Sequence, residues 1–429
     1  MTSTPPPEPP VPPVRRREIL AWCGYDFANS SFATIIVTVV FSVYFTKIIC
    51  AGNARADGYW GLGALVSQLT VVLLSPFLGA LIDLRAWKKQ ALFAAYLVCV
   101  VFTFCLSRFG PGDIVPALLC FVGANIAFSL GENFNASFLP ELAPPSRIGR
   151  ISGYGWAMGY VGGLGSLLLC FPLLKGGFTL ANEANLRHTS TLTALFFLVS
   201  AIPTFLFLRE RARPQPIGPA AVARATLRRT WETTRRIVAE PVLRTFFGAF
   251  FLYSCGIAVV VTFAAIYAER EIGFTGAQLI FLFIILQVSS SLGAFFFGFV
   301  QDKWGSILTL RLTLLLWVVV ILGAISFKTV ASFYIVGNIA GLAIGSAQSA
   351  SRAVVGLLAP PERHAEYFGF WGLFWKLAAG FGPLTYGLIS SATHSATLAL
   401  LSTLVFFLSG LWLLGGVRLP GVPTHEGQG

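Results

Sequence analysis

The sequence has little charge, few histidines and none of the compact motifs that mark common enzymes. Of its 429 residues, 11% are charged and 4 are histidine, whereas soluble proteins carry about 25% charged residues. No His-Glu-x-x-His, phosphate-binding Gly-x-x-x-x-Gly-Lys-Ser/Thr or Cys-x-x-Cys pattern occurs. A water-soluble core could not hide this much apolar surface. We therefore expect a membrane protein that is not an enzyme and uses neither a metal nor a cofactor.

Long apolar runs take the place of charge. About twelve of them approach the 20 residues that a helix needs to cross a bilayer, and none alternates as a barrel strand does. Six lie on each side of a polar stretch at 209–241, so both halves have the same orientation. We predict an all-α membrane protein with twelve transmembrane helices in two parallel six-helix bundles. The expected parts are a disordered proline-rich tail (1–14), a first bundle (15–208), a cytoplasmic basic linker (209–241), a second bundle (242–418) and a tail (419–429).

The net charge of +12 is unevenly distributed along the chain. Most lysines and arginines fall in the segments on the side of the N-terminus and the linker. This bias predicts that both termini are cytoplasmic. The basic linker then lies near anionic lipid headgroups. The positive charge is thus a sign of topology, and we expect no nucleic acid partner.

Two short loops, 219 positions apart, carry the same signature between apolar runs. Each contains an aspartate at the C-terminal end of a predicted helix, where the helix dipole is already negative and a positive partner is needed. The partner is either the N-terminus of a helix in the opposite half or an arginine. We predict a reversible latch on the cytoplasmic side. Its expected members are Gly79, Asp83, Lys88, Lys89, Arg147, Arg150, Gly298, Asp302, Lys303, Gly305, Arg352 and Arg363.

These loops resemble the signature loop of the major facilitator superfamily, Gly-x-x-x-Asp-(Lys/Arg)-x-Gly. The second loop is close to the pattern, whereas the first has Leu84 and Ala86 where a basic residue and glycine are usual. The stretches Tyr-Asp-Phe-Ala-Asn-Ser at 25–30 and Gly-Trp-Ala-Met-Gly-Tyr at 155–160 resemble the bacterial relatives of the fungal vacuolar effluxer linked to autophagy. The resemblance implies a twelve-helix facilitator fold, alternating access and efflux, chiefly of amino acids in the fungal member. For a bacterial relative it also implies a location in a bacterial inner (plasma) membrane.

Three charged side chains lie deep in predicted spans, where each costs about 2.5–3.5 kcal/mol or more. Asp26 and Glu132 lie at similar depths, and Lys376 is the one cation expected near mid-membrane. The first and fourth spans line the central cavity of the fold that the chain resembles. An amino acid would fit there, with its carboxylate on Lys376 and its amine on either acid. The expected substrate-binding and coupling residues are Asp26, Asn29, Glu132, Asn133, Asn135, Trp156, Tyr160, Trp375 and Lys376.

The resulting prediction is a monomeric secondary transporter of a small polar or zwitterionic solute. Desolvation raises a carboxyl pKa, so either deep acid is also a candidate for coupling transport to protons. Purely structural roles remain open, with Asp26 bonded to backbone or Asn29 and Lys376 held by a fixed partner. Two further alternatives also remain open at this point. One is an exporter of organic anions or amphiphilic drugs with the same fold, and the other is a membrane assembly factor that does not transport.

Overall fold

The computed structural model describes residues 13–216 and 218–419, and within these ranges every regular element is helical. The tails predicted at 1–14 and 419–429 lie outside the described residues, except for positions 13, 14 and 419. The first half of the chain forms six long helical segments. They are α1 (Arg16–Ile49), α2 (Ala56–Arg85), α3 (Lys88–Leu106), α4 (Ile114–Leu142), α5 (Pro145–Leu174) and α6 (Leu180–Phe207).

A separate helix, α7 (Pro219–Ala239), lies in the polar linker, and six more long helices follow it. In the described ranges, eleven helices are long and apolar enough to span a membrane. With 30 residues, α12 has the length of a span as well and brings the long helices of the two halves to twelve. The helices of the second half are α8 (Pro241–Ile272), α9 (Gly276–Trp304), α10 (Ser306–Ser326), α11 (Val330–Leu358), α12 (His364–Thr393) and α13 (Ala396–Leu414).

Two of the segments are not regular α-helices throughout. α1 widens into π-helical turns at Phe32–Val39 and Phe45–Ile49, and such turns are frequent at functional sites. α4 is interrupted after Ala136 and ends in the short turn Leu139–Leu142. Pro140 in this turn has no backbone N–H to donate, so the regular helix stops before it.

Each half packs around its own core. In the first half, Trp22 and Phe121 are fully buried in one continuous apolar cluster. In the second half, Trp317 stacks on Phe407, with ring centroids 5.2 Å apart and planes at 5°. Most apolar faces are thus satisfied within each group of six helices, while Ala353 and Ala365 of the second half join the first cluster and Ala136 of the first half joins the second.

The halves meet along two pairs of helices. α5 of the first half packs on α9, and α2 packs on α12. We call the end of the molecule where α1 begins and α7 lies the linker end, and the opposite end the far end. The duplicated loops that follow α2 and α9 are both at the linker end, where each reaches the beginning of a helix in the other half.

The linker helix α7 is amphipathic and lies against the bundles. Pro219 occupies its first turn, where a missing N–H costs nothing, and the helix ends at Ala239, just before Pro241. The buried face consists of Val222, Thr226, Arg229, Thr233 and Ile237. The same helix exposes Leu227, Trp231 and Val238 on the opposite face.

Candidate functional site

A cavity of about 480 Å³ lies between the two halves. Its walls come from α1, α4 and α5 on one side and from all six helices of the second half, α8 to α13, on the other. On α1 the lining runs from Asp26 to Thr38, along the π-helical turn, and on α12 it runs from Trp375 to Tyr386. The cavity therefore extends from the middle of the helices towards the far end.

The floor of the cavity is an ion pair between the halves. Arg352 Nη1 of α11 lies 2.8 Å from Asp26 Oδ2 of α1. The guanidinium also donates to Ser152, with Nη2 2.7 Å from the backbone oxygen and Nε 3.1 Å from Oγ. It is held between the rings of Trp22 and Trp156, at 4.7 and 5.3 Å from their centroids. Every one of these partners belongs to the first half.

The position of Arg352 corrects two expectations. It was expected in the latch at the linker end, but it lies in the cavity floor, six residues before the end of α11 and so about 9 Å inside it. Among the described residues, Lys376 is consequently not the only cation that lines the cavity. The long arginine side chain explains the difference, because it carries its charge from α11 across to the other half.

Glu132 of α4 and Lys376 of α12 line the cavity above this floor. In the part of the chain that the structure describes, neither side chain has a hydrogen bond or an ion-pair partner within 4 Å, although each charge feels the field of the other. Unpaired charges at this depth are costly. Both groups are therefore available to a ligand that brings the complementary charges.

Further polar and aromatic groups surround the two charges. Asn29, Trp156, Tyr160 and Trp375 all line the cavity, as their prediction requires. The hydroxyl of Tyr160 donates to Gln348 Oε1 across the interface of the halves. The indole N–H of Trp156 is buried, and no hydrogen-bond acceptor for it lies in the described residues.

Two of the predicted site residues do not face the cavity. Asn133 is buried and donates to Ser75 Oγ of α2 at 2.9 Å, so its amide joins two helices of the first half. Asn135 is also buried and donates to Asp26 Oδ1 at 2.9 Å. Its amide orients the acid of the floor from behind. Successive positions on a helix point in different directions, and sequence spacing alone did not fix which of them face inward.

The aspartates of the duplicated loops each bind the first turn of a helix in the other half. Asp83 accepts the backbone N–H groups of Ala365 and Glu366, at 3.1 and 2.9 Å, where α12 begins. We call this contact the first clamp. The positive end of the helix dipole favours a carboxylate there, as the sequence pattern led us to expect.

Asp302 makes the equivalent contact, the second clamp, at the beginning of α5. It accepts the N–H groups of Gly149 and Arg150, at 2.9 and 3.3 Å, and pairs with the Arg150 guanidinium. The glycines of the two duplicated loops, Gly79 and Gly298, allow the helices to approach closely enough for both contacts. A Cβ on Gly79 would lie 2.3 Å from the backbone oxygen of Ala365, and one on Gly298 would lie 2.9 Å from Arg150 Cα.

The lysines of the first loop act within the first half. Lys88 is fully buried and pairs with Glu141 at 2.6 Å and with Asp83 at 3.7 Å. Lys89 Nζ donates to the backbone oxygen of Leu208 at 2.8 Å. The backbone N–H groups of both lysines donate to Glu210. Burial raises the pKa of the Glu210 carboxyl, and these two N–H groups oppose the rise.

The remaining predicted latch residues make no hydrogen bond or ion pair with Asp83 or Asp302 in the described part of the chain. Arg363 donates to Thr233 Oγ1 of α7 at 2.7 Å, and it lies 3.4 Å from Glu232 and 4.0 Å from Glu366 of the first clamp. Gly305 takes a positive φ of 89° in the turn after α9. Arg147 and Lys303 are exposed at the linker end.

Comparison with known families decides the family of this chain. A family model described as "Vacuole effluxer Atg22 like" matches residues 145–420, well over half of the chain. The chain belongs to this Atg22-like family. The uncharacterized MFS-type transporter YxiO of Bacillus subtilis (strain 168) is 23% identical over 409 residues, which are 92% of this chain and 94% of that protein.

Fungal proteins match the Atg22-like chain over a shorter stretch. Autophagy-related protein 22-1 of Neosartorya fischeri is 27% identical over 268 residues, which are 56% of this chain. Because these residues make up 43% of the fungal protein, the match spans less than half of that relative's length.

Solved structures agree with the fold. The human organic anion transporter MFSD10 superposes with a TM-score of 0.74 at 14% identity, covering 94% of this chain and all of that one. The proton:xylose symporter XylE gives 0.70 at 14% identity, covering 93% and 94%. The predicted major facilitator fold is confirmed. The Atg22-like chain is an integral membrane transport protein, and its family and structural neighbours are transporters rather than enzymes.

The cavity of this Atg22-like protein also contains polar residues that sequence reasoning missed. Gln287 and Ser290 of α9 and Gln348 of α11 all line it. The spacing of these residues in the sequence could have indicated that they face the cavity. Gln287 and Ser290 are three residues apart, and Gln348 lies four before Arg352, so each pair shares a helix face in an otherwise apolar span.

Proposed function

We propose that this Atg22-like protein carries a small zwitterionic solute, such as an amino acid, through the cavity by alternating access. The observation that supports this most directly is the pair Glu132 and Lys376. They are opposite charges in the walls of the two halves, and neither has an ionic partner within 4 Å in the described chain. A solute with one ammonium and one carboxylate group would neutralise both at once.

The ion pair between Asp26 and Arg352 in the cavity floor determines which acid is free to bind the solute. Asp26 is already engaged by Arg352 and by the amide of Asn135. We therefore assign the ammonium group of the solute to Glu132 and its carboxylate to Lys376. Trp156 adds an aromatic ring to the cavity wall.

The placement of clamps and cavity supports alternating access. Both clamps join the halves at the linker end, while the cavity extends towards the far end. A state with the opposite opening would require both clamps to break, and each consists of a few polar contacts that can re-form. Because a bound solute contacts both halves, it would favour the states in which they are close.

Location, direction and coupling complete the proposal. The concentration of basic residues at the linker end supports a cytoplasmic location for that end and for both termini of a protein in a bacterial inner membrane. The description of the family as vacuole effluxers supports export.

We propose that protons drive this export through Glu132 and that the protein works as a monomer. Transport in proteoliposomes should then depend on a pH gradient, and Glu132→Gln should remove that dependence.

A binding experiment with the purified full-length protein tests the substrate class. The ligands are amino acids, organic anions and sugars, and the readout is thermal unfolding, since a ligand stabilises the state that binds it. We expect amino acids to raise the melting temperature. Lys376→Gln and Glu132→Gln should each weaken that binding about 10- to 100-fold, because a hydrogen bond to a charged group contributes about 1.5–3 kcal/mol.

Glu183→Gln is the matched control. It removes the same charge at the beginning of α6, where Glu183 pairs with Arg187 outside the cavity lining, and it should leave binding unchanged. Binding of organic anions that depends on Lys376 but not on Glu132 would replace the zwitterion by the anion as substrate class. Amino-acid binding that survives both cavity substitutions would refute the proposed site.

A further inference from the structure

A second cavity, at the linker end, lies outside the transport path. It is a groove of about 580 Å³ between the end of α2, the linker helix α7 and the turn before α12. Arg224, Arg228, Arg229 and Arg363 line it, and we call it the arginine groove. The carboxylates in its walls are those of Glu232 and Glu362, so positive charge is in excess.

Two of the four arginines are available to a ligand. In the described part of the chain Arg224 has no ion pair, and it is exposed. Arg228 pairs with Glu232 on the same helix at 3.0 Å, and its side chain is 79% exposed. Such an exposed pair contributes little. A phosphate group would gain charge-assisted, bidentate hydrogen bonds from these guanidinium groups.

The neighbouring surface indicates the source of the phosphate. Leu227 and Trp231 are 62% and 70% exposed and lie three residues after Arg224 and Arg228, so each apolar side chain is beside an arginine. Exposed tryptophan and leucine next to arginine are typical of helices that lie in the membrane interface. A free phosphate ion has no apolar part that could contact Leu227 and Trp231. A phospholipid would cover both side chains with its glycerol and upper acyl chains.

The groove is also connected to the first clamp. Arg229 Nε lies 3.1 Å from Glu366 Oε2, and the backbone N–H of Glu366 is one of the two donors to Asp83. On the first-half side, Leu84 directly follows Asp83, and its backbone oxygen accepts the N–H of Gln215 at 2.9 Å. The groove is therefore lined by residues that adjoin both partners of the clamp, Leu84 next to Asp83 and Arg229 bonded to Glu366.

We propose that the arginine groove binds the phosphate of an anionic phospholipid headgroup and that the bound headgroup holds the linker end closed. A ligand that contacts both walls stabilises the state in which they are adjacent. This site does not depend on the identity of the transported solute. It would make the balance between the two access states respond to the lipid composition of the membrane.

Lipid binding to the full-length protein tests the site. The protein is incorporated into nanodiscs of phosphatidylcholine alone or with increasing phosphatidylglycerol, and thermal unfolding is followed. We expect the anionic lipid to raise the melting temperature. The double substitution R224Q/R228Q should raise the half-saturating fraction of phosphatidylglycerol at least fivefold. R235Q/R236Q removes the same charge from exposed positions of α7 outside the groove and is the matched control.

A second measurement reports the state of the linker end. Ala353 of α11 is fully buried and packs in the core of the first half. In a chain whose seven native cysteines are replaced, A353C should react with a soluble maleimide more slowly as phosphatidylglycerol increases. R224Q/R228Q should abolish this lipid dependence, and R235Q/R236Q should retain it.

Three outcomes would overturn the proposal. An equal loss of lipid binding in both double variants would show a general charge effect and no groove. Equal protection by soluble glycerol phosphate would remove the lipid as ligand. Lipid binding without any change in the A353C reaction would separate the groove from the clamp. None of these results depends on amino-acid binding in the central cavity.

Discussion

A single arginine organises the bottom of the cavity. Arg352 belongs to the second half, yet Asp26, Ser152 and both flanking tryptophans belong to the first. The guanidinium is almost completely buried, where the desolvation of an ion pair can cost as much as its attraction gains but the loss of one partner is strongly destabilising. The charge could not be lost without leaving its partner unpaired.

Removing either member of the floor pair should destabilise the protein strongly. Asp26→Asn leaves a buried cation without a counter-ion, and Arg352→Gln leaves a buried acid, each at a cost of about 3–5 kcal/mol. Thermal unfolding of the purified protein measures the loss. The double variant carries no unpaired charge and should unfold at a higher temperature than either single variant. Additive losses in the double variant would contradict this account.

At the scale of helices, the contact between α2 and α12 depends on a position without a side chain. A Cβ on Gly79 would lie 2.3 Å from the Ala365 backbone oxygen, which cannot move aside as a flexible side chain can. Gly79→Ala should therefore push the helices apart and destabilise the first clamp by about 1–3 kcal/mol.

Gly61→Ala on the same helix provides the control. Among the described residues, no atom outside its own helix turn lies within 4 Å of a Cβ at Gly61, and alanine favours a helix over glycine by about 1 kcal/mol. We expect its unfolding temperature to be equal to or above that of the unaltered chain. Similar melting temperatures for the two variants would mean that α2 and α12 do not need to approach so closely.

For the whole molecule, the two clamps should set the balance between the access states. Asp302→Asn removes the charge that pairs with Arg150 and faces the beginning of α5. The linker end should open more often, and A353C should react faster with maleimide. Asp57→Asn, an exposed far-end position on α2, should leave the rate unchanged. No acceleration in Asp302→Asn would exclude the second clamp as a determinant of the closed state.

The sequence was sufficient for the twelve-helix fold and for the chemistry of the clamps, because both depend on periodic or local signals. Apolar length marks a span, and an acid at a helix end needs a positive partner. The positions of Arg352 and Asn133 could not be predicted from such signals. Whether a polar residue faces the cavity or another helix depends on the rotation and packing of its helix, which a single sequence does not fix. The arginine groove depends on how α7 lies on both halves, and no local pattern indicates that.

The reciprocity of the clamps has an evolutionary consequence. Each half contributes one acid and one helix beginning, and receives the same two features from the other. A half-length ancestor with these two features could associate with a second copy of itself through two identical contacts, as a closed dimer with two-fold symmetry. Gene duplication and fusion would then preserve the contacts while freeing the copies to diverge.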